Sequence, residues 1–293
     1  YRQPEALTIM DDILRTERHK TVVITGAASG MAYCATELLL SLGAKVYAVV
    51  NSKPCDLPVE AQFKGNLSVK AEIDNVISQL PEKIDVLFMC HGVGLKPDRE
   101  KFIQMTNFVG QRYMVEQLLP RIVDGGSVTF ISSTGGYGWP GNMANVGALL
   151  KTESFEEAEK WVEDHIGMFA EAGAPDPYQF SKQCVSAYVK SKTRAPEFIG
   201  RKIRINAIGP SFTETAIIKD FNLAVSKDGS EASGANVMYE LFLKSWNGRA
   251  GKPEEMGWPL VIFGSDLCSY LSGQIIYIDF GMTGEMDWQA VQG

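Results

Sequence analysis

The sequence predicts an α/β protein built on one open, doubly wound parallel sheet. Short apolar runs rich in β-branched residues alternate along the chain with longer stretches of helical periodicity. A glycine-rich turn joins the first such run to the first helical stretch, and no fixed-period repeat interrupts the alternation. The 293 residues, 45% of them apolar, suffice for the core of a single domain spanning residues 1–293.

The apolar runs predict seven strands, and the periodic stretches between them predict the crossover helices. The runs carry few polar residues, which is typical of parallel strands covered on both faces. The predicted strands are 21–25, 45–50, 61–64, 84–89, 127–131, 203–207 and 275–278. The predicted helices are 29–42, 69–80, 101–119, 154–172, 178–194 and 254–263. Pro120 closes the third of these helices.

Composition excludes several classes of function. With 28 Lys and Arg against 35 Asp and Glu, the net charge of −7 gives no electrostatic reason to bind nucleic acid or an anionic membrane. No apolar run reaches the 18–20 residues or so of a membrane-spanning helix. Five scattered Cys and three His, with no CxxC, predict neither a disulfide framework nor a metal site. Residues 1–12 lack the apolar core of a signal peptide, so we expect a cytoplasmic protein.

The turn after the first strand indicates a dinucleotide site. It reads TGAASGMA, in which Gly26 and Gly30 allow a tight turn, and Ser29 and Met31 flank the start of a helix. Glycines let the backbone approach a pyrophosphate, and the helix N-terminus stabilises its charge. A glycine-rich turn between a strand and a helix can also be structural alone, and its place after the first buried strand favours the cofactor.

The end of the second strand bears on the choice of cofactor. An acidic residue there would bind the adenosine ribose hydroxyls and repel a 2′-phosphate. The strand instead ends in Asn51, Ser52 and Lys53, which favours NADP(H) over NAD(H), although these are also ordinary turn residues. Asn66 and Leu67 are placed to frame the adenine, or Asn66 caps the following helix.

Two segments supply candidate acid–base chemistry. Tyr178 and Lys182 are four residues apart and share one helix face, so the ammonium is expected to lower the pKa of the phenol. A core tyrosine above a solvated lysine is the structural alternative. Ser133 follows the 127–131 strand at the carboxyl edge of the sheet, where open α/β sheets bind ligands, and its hydroxyl can hydrogen-bond a carbonyl oxygen.

Together these motifs resemble the short-chain dehydrogenase/reductase family, and the resemblance covers most of the chain. The matching segments, in family order, are TGAASGMA, CHG at 90–92, MTNFVG with Asn107, ISS at 131–133, YQFSK, IGPSFTET, GRAGKPEE at 248–255 and the closing strand GQIIYIDFG at 273–281. The resemblance implies a Rossmann-type fold.

The resemblance also implies roles for individual residues. Tyr178 would be the general acid/base, Lys182 would hold the nicotinamide ribose, and Ser133 would position the reacting oxygen. Asn107 would keep a water in a proton relay, or is a polar residue that bends its helix. The remaining implied cofactor contacts are Cys90, His91, Gly92, Pro210, Thr213 and Thr215. Cys90 replaces the family's asparagine and Ser211 its glycine, which puts the local geometry there in question.

An insertion narrows the resemblance. Ser133 and Tyr178 are 45 residues apart (178 − 133), where the family uses about a dozen, and the extra segment is 143–175. The insertion, the short second crossover and the TET at 213–215 resemble the bacterial 3α-hydroxysteroid dehydrogenase/carbonyl reductase subgroup; coniferyl alcohol dehydrogenases share much of the pattern. The insertion either redirects assembly or is a surface excursion. Residues 212–246 match the family's substrate lid.

The leading functional hypothesis is an oxidoreductase that moves a hydride between NAD(P)(H) and a secondary alcohol or ketone, with a steroid or bile-acid 3-hydroxyl as the implied substrate. The alternatives are an aryl or coniferyl-type alcohol dehydrogenase, a broad carbonyl reductase, or a non-catalytic NAD(P)-binding sensor. Tyr137, Trp139 and Met143, after the serine strand, suit either an apolar ligand or core packing. The resemblance further implies a small apolar alcohol or ketone as ligand and a homodimer or homotetramer.

Overall fold

A computed structural model describes residues 18–292 and contains a seven-stranded, wholly parallel sheet. The strands, in chain order, are β1 Thr21–Thr25, β2 Lys45–Val50, β3 Ala61–Lys64, β4 Ile84–Met89, β5 Ile122–Ile131, β6 Arg204–Pro210 and β7 Ile275–Ile278. Their spatial order, β3-β2-β1-β4-β5-β6-β7, confirms the doubly wound Rossmann-type fold. The order reverses between β1 and β4, and this opens a ligand crevice at their carboxyl ends.

Two strands are longer than the sequence predicts. β5 begins at Ile122, ahead of the polar stretch DGGS, and its register with β4 shifts there. β6 continues to Pro210 and is buried throughout. Proline closes β6 because it lacks the N–H that a further rung would need. This brings Pro210 to the carboxyl edge, beside the crevice.

Helices cover both faces of the sheet, as predicted. The helices are α1 Gly30–Ser41, α2 Lys70–Gln79, α3 Glu100–Gln104, α4 Gly110–Leu118, α5 Met143–Leu150, α6 Phe155–His165, α7 Pro177–Lys192, α8 Pro196–Ile199, α9 Ala216–Val225, α10 Glu231–Met238, α11 Pro253–Gly264 and α12 Met282–Gln292. On one face α1 packs against α11, with Leu39 and Leu260 fully buried. On the other, α4 and α7 enclose a larger core that includes Phe180 and Val185.

The predicted helix 101–119 is interrupted. A π-helical turn, Met105–Val109, separates α3 from α4 and contains Asn107. Gly110 follows, where an added Cβ would lie 1.8 Å from the Leu67 carbonyl oxygen. One extra residue in a turn barely alters the apolar periodicity, so the sequence pattern does not reveal it.

The insertion at 143–175 is part of the hydrophobic core. The sequence predicts only the helix 154–172, whereas the structure has α5, α6 and a 3-10 turn, Ile166–Ala170. Leu149 of α5 and Val162 of α6 are buried, and the Arg112 guanidinium donates to the Leu149 carbonyl over 3.2 Å. The idea of a surface excursion is therefore wrong. Helix α5 is not predicted because its sequence, MANVGALL, is short and carries too few polar residues to show a helical period.

Four further helices, α8, α9, α10 and α12, are not among those that the sequence predicts. The short α8 follows α7, α9 and α10 lie in the predicted lid, residues 212–246, and α12 follows the last strand. None of the described helices is both long enough and apolar enough to span a membrane. The segment 1–12, where no signal peptide is predicted, lies outside the described residues.

Candidate active site

A cleft of about 1090 Å³ opens at the carboxyl edge of the sheet, over the ends of β1, β4 and β5. Every predicted site residue except Asn107 lines it. They are Gly26, Ser29, Gly30, Met31, Asn51, Ser52, Lys53, Asn66, Leu67, Cys90, His91, Gly92, Ser133, Tyr178, Lys182, Pro210, Thr213 and Thr215. Tyr137, Trp139 and Met143 are not among the residues that line this cleft.

The turn after β1 is shaped to receive an anion. Gly26 and Gly30 have φ of 77° and 59°, which side-chain-bearing residues rarely adopt. An added Cβ at Gly26 would lie 3.1 Å from His91 Cα, so the turn packs directly on the backbone after β4. Helix α1 has no acidic residue in its first turn and no side-chain cap on its N-terminal amides. These amides, with the helix dipole, favour a phosphate.

Thr25 ties this turn to the end of β4, and sequence reasoning missed it. Its hydroxyl accepts hydrogen bonds from the Cys90 amide at 2.9 Å and the His91 amide at 3.2 Å. It also lies 2.8 Å from His91 Nδ1. Cysteine in place of the family's asparagine at position 90 therefore leaves the β1–β4 junction intact, because Thr25 holds the backbone amide of Cys90.

His91 lies in the cleft as a neutral imidazole. Burial, with a smaller contribution from the nearby Lys182 charge, lowers its pKa to about 3. Gln111 Nε2 donates to its carbonyl oxygen at 2.6 Å. Residues 18–292 contain no cluster of three or more His, Cys, Asp or Glu side chains suited to a metal ion.

Tyr178, Lys182 and Ser133 meet where β5 ends and α7 begins, next to the segment after β4. Helix α7 begins at Pro177 with a capping box between Asp176 and Gln179, which fixes the first turn and with it Tyr178. Ser132 anchors the same helix to β5, since its hydroxyl lies 3.1 Å from the Lys182 carbonyl oxygen. An added Cβ at Gly135 would lie 3.4 Å from Tyr178 Cε1 and 3.5 Å from Ser133 Oγ.

Burial dominates the electrostatics of these residues. It raises the pKa of Tyr178 to about 12, opposed by the Ser133 hydroxyl, with the Asp176 charge adding to the rise. Burial also lowers the pKa of Lys182 to about 8. The net lowering of the phenol pKa expected from Lys182 is thus wrong, because burial raises that pKa. The ammonium lies 5.6 Å from the ring centroid and donates instead to the Ile131 carbonyl oxygen at 2.9 Å.

Asn107 lies fully buried behind the cleft wall. Its Oδ1 accepts from the Val93 amide at 2.8 Å, and its Nδ2 donates to the Val93 carbonyl at 3.0 Å and to Ser181 Oγ at 3.2 Å. An added Cβ at Gly92 would lie 3.3 Å from Asn107 Oδ1 and 3.7 Å from Lys182 Nζ. The side chain thus clamps the segment after β4 beside Lys182.

The far end of the cleft holds the residues predicted for the adenosine. Asn51, Ser52 and Lys53 are exposed at its rim. Asn66 Oδ1 accepts from the Ser68 amide at 3.1 Å and hydroxyl at 2.8 Å, so its side chain closes the turn before α2, whose N-cap is Val69.

The predicted lid and α12 form the remaining wall, and aromatic rings dominate it. Phe221 meets Tyr178 edge to face, with ring centroids 4.8 Å apart. Phe212 lies 5.0 Å from Phe242, centroid to centroid. Trp246 Nε1 donates to Glu285 Oε2 at 3.0 Å and joins the lid to α12. No local motif marks these residues, because they are brought together only by the tertiary fold.

Two family models cover most of the described chain. One described as short chain dehydrogenase matches residues 20–145, and one described as Enoyl-(Acyl carrier protein) reductase matches residues 166–283. Coniferyl-alcohol dehydrogenase of Pseudomonas sp. (strain HR199) is 31% identical over 221 residues, which cover 75% of this chain and 83% of that protein. The chain belongs to the short-chain dehydrogenase family. Membership makes it an oxidoreductase.

Other short-chain dehydrogenases extend the comparison over the full domain. The 3-alpha-hydroxysteroid dehydrogenase/carbonyl reductase of Comamonas testosteroni is 24% identical, with 90% of this chain and 97% of that protein covered. The crystal structure of 3-alpha-hydroxysteroid dehydrogenase from Pseudomonas sp. B-0831, complexed with NADH, superposes with a TM-score of 0.71 at 20% identity, covering 91% of this chain and 98% of that chain. The structural likeness supports the fold.

Proposed function

We propose that this short-chain dehydrogenase reversibly transfers a hydride between NAD(P)(H) and a secondary alcohol or ketone. The observation that carries the proposal is that Tyr178, Ser133 and Lys182 share one cleft with the glycine turn of Gly26 and Gly30. The turn suits a dinucleotide, because its positive φ angles and the uncapped α1 N-terminus leave backbone amides for a pyrophosphate.

The same cleft supplies contacts for each end of the cofactor. Beyond the glycine turn, the residues that would hold it are Asn66 and Leu67 at the adenine, Cys90, His91 and Gly92 along its length, and Pro210, Thr213 and Thr215 at the nicotinamide. When bound, the nicotinamide supplies or accepts the hydride.

The chain's own residues handle the proton. Tyr178 is protonated at neutral pH because burial holds its pKa near 12, so its hydroxyl is set to donate a proton to a ketone oxygen. Ser133 Oγ orients that oxygen by a second hydrogen bond. In the alcohol-oxidising direction Tyr178 must lose its proton, and the Lys182 ammonium stabilises the phenolate. Asn107 fixes the loop beside Lys182 and keeps the relay to solvent in place.

Replacement of Tyr178 by Phe tests this assignment. Tyr178→Phe removes the transferable proton and keeps the ring, so we expect turnover to fall by at least about 10³-fold. Nicotinamide binding, followed by fluorescence, should change less than about threefold. Residual turnover within tenfold of the wild type would overturn the assignment. Cofactor binding without turnover of any alcohol or ketone by the wild-type protein would favour a non-catalytic sensor.

We further propose NADP(H) as the preferred cofactor. Support comes from Asn51, Ser52 and Lys53 at the rim. Their hydroxyl, amide and ammonium groups suit a 2′-phosphate. The carboxylates among the described residues that line the cleft are Asp176, two residues before Tyr178, and Glu285 of α12. Lys53→Ala should weaken NADPH binding about tenfold and leave NADH binding unchanged. Tighter binding of NADH than NADPH by the wild type would reject the preference.

For the substrate we propose a hydroxysteroid or bile-acid 3-hydroxyl, or the corresponding ketone. The lid lining of Ile217, Phe221, Met238 and Phe242 supports an apolar, ring-shaped ligand. The relative of 31% identity named coniferyl-alcohol dehydrogenase favours an aryl alcohol as the second candidate. Steady-state rates with a 3α-hydroxysteroid and with coniferyl alcohol would separate the two, and comparable turnover of both would indicate a broad carbonyl reductase.

We also propose that the chain works in the cytoplasm as a homodimer or homotetramer. Helix α6 of the insertion packs on α3 and the neighbouring π turn, so a contact between copies at these elements would have to include the insertion. Trp258 and Ile262 of α11 are exposed, as is Tyr270, which follows α11 in the sequence. These side chains offer apolar surface for a contact between copies. Light scattering on the eluted protein gives the subunit number directly, and a monomer would reject the proposal.

A further inference from the structure

A second cavity of about 590 Å³ adjoins the cleft and is built in part by the insertion. Its walls come from the segment after β5, from residues 168–175 and from α7. The two cavities share Thr134, Gly135, Gln179 and Met286. The shared wall lies against the reactive group, because an added Cβ at Gly135 would be 3.4 Å from Tyr178 Cε1. The side pocket therefore lies beside Tyr178.

Three amides form the floor of the side pocket. Asn142 Nδ2 donates to Gln183 Oε1 at 2.9 Å, and Asn145 Nδ2 donates to Asn142 Oδ1 at 3.3 Å. Gln183 is only 9% exposed. Among the described residues, Gln183 Nε2 and Asn145 Oδ1 have no protein partner, so an amide NH2 group remains as donor and an amide oxygen as acceptor.

The charged residues that line the two cavities limit which substrate groups the side pocket can bind. No Lys or Arg of the described chain lines the side pocket, and the only cations that line the main cleft are Lys53 and Lys182. Glu171 lies in the side pocket, and Asp176 and Glu285 line the main cleft. A carboxylate or a phosphate would find no partner charge in the side pocket and would face Glu171.

We propose that the side pocket binds an uncharged, hydroxyl-bearing extension of the substrate, whose reacting carbon lies at Tyr178. Hydroxyl groups both donate and accept hydrogen bonds, so they satisfy the free donor and acceptor of the amide floor. The substrate is then bipartite, with an apolar ring against the lid and a neutral polar arm in the side pocket. This inference rests on the proposed function and defines the substrate class further.

Three matched ketones test the proposal: 4′-methoxyacetophenone, its 2,3-dihydroxypropyl ether analogue and its carboxymethyl ether analogue. We expect kcat/KM for the diol ether to exceed that for the methyl ether about tenfold, the effect of one or two added hydrogen bonds, and the carboxylate to be the poorest substrate. Asn145→Leu should cut the diol preference to about twofold.

Asn75→Leu is the matched control, because Asn75 is exposed on α2, away from both cavities. It should leave the diol preference unchanged, and Asn145→Gln should restore part of it. Reduction of the methyl ether reports on the proposed reaction, whereas the ratio of the two ethers reports on the side pocket. A ratio near one, a ratio unmoved by Asn145→Leu, or a preferred carboxylate would overturn the proposal. Failure to reduce any of the three ketones would overturn the proposed reaction on aryl ketones, and this inference with it.

Discussion

The two walls of the cleft are built in different ways. On the cofactor wall, backbone packs on backbone at Gly26, and the side chains of Thr25 and Asn107 accept partly buried hydrogen bonds from backbone amides of the segment after β4. On the lid wall, partly exposed side chains touch one another, and Asn222 is the one buried residue of α9. Close backbone packing tolerates little change, whereas side-chain contacts can be rearranged. Reaction chemistry thus belongs to the rigid wall and substrate selection to the adaptable one.

Glycine substitutions on the two walls should show this contrast most strongly. Gly26 and Gly229 have nearly the same φ, 77° and 79°, so alanine is strained by about 1 kcal/mol at either position. At Gly229, in the lid, an added Cβ meets nothing within 4 Å, whereas at Gly26 it meets His91 backbone. We expect Gly229→Ala to lower the free energy of unfolding by about 1 kcal/mol and Gly26→Ala by about 3 kcal/mol.

Urea unfolding measures both losses, and nicotinamide fluorescence follows the cofactor. Gly26→Ala should weaken cofactor binding at least about tenfold because it displaces the turn, while Gly229→Ala leaves it unchanged. Equal stability losses at the two glycines would contradict the contrast between the walls.

The same contrast explains what the sequence could predict. The seven strands and the cofactor wall follow from local patterns, since a glycine turn after a buried strand restricts the backbone whatever surrounds it. The lid contacts of Phe221 and Trp246 depend on segments far apart in the chain, and no spacing reveals them. The direction of the Tyr178 pKa also required the fold, because burial outweighs the ammonium one helical turn away.

Replacement of Lys182, on the rigid wall, should change the free energy of unfolding by an intermediate amount. Its pKa of about 8 in the folded protein, against 10.5 for an ordinary lysine, means that burying the ammonium opposes folding by roughly 3 kcal/mol at pH 7. Lys182→Met removes this penalty and also the hydrogen bond to Ile131, worth about 1 kcal/mol. We expect the variant to be inactive yet about 2 kcal/mol more stable at pH 7.

The stability difference between the wild type and Lys182→Met depends on pH because the folded and unfolded states have different lysine pKa values. Below pH 8 the lysine is charged in both states and the penalty is complete. Between pH 8 and 10.5 the unfolded chain holds a proton that the folded one has lost. The free energy of unfolding of the wild type therefore rises with pH and approaches that of Lys182→Met. The difference should shrink by about 2 kcal/mol from pH 8 to pH 10. Lys190→Met, exposed on the same helix, should show no such trend.

The smallest expected effect lies where the lid meets the body of the protein. Asp220 of α9 packs on Gly94, and its Oδ1 lies 3.4 Å from Lys96 Nζ in the loop after β4. Its neighbour Lys219 instead lies 4.0 Å from Glu231, also within the lid. Because the Lys96 side chain is half exposed, the Asp220 pair contributes less than about 1 kcal/mol. Asp220→Ala should therefore raise KM two- to fourfold, with kcat unchanged, because the lid contacts the substrate less often.

Lys219→Ala provides the matched control, since it removes an ion pair internal to the lid and should leave KM unchanged. Salt sharpens the distinction. Screening weakens exposed ion pairs, so 0.5 M NaCl should raise the wild-type KM for a neutral substrate toward that of Asp220→Ala and leave the variant almost unaffected. If both substitutions raise KM equally, interactions within the lid determine KM, and the contact between Asp220 and the loop after β4 does not. The lid wall would then behave as one cooperative unit. Its selectivity would depend on the packing of α9 on α10 at Gly234, where an added Cβ would lie 1.7 Å from the Asn222 carbonyl oxygen.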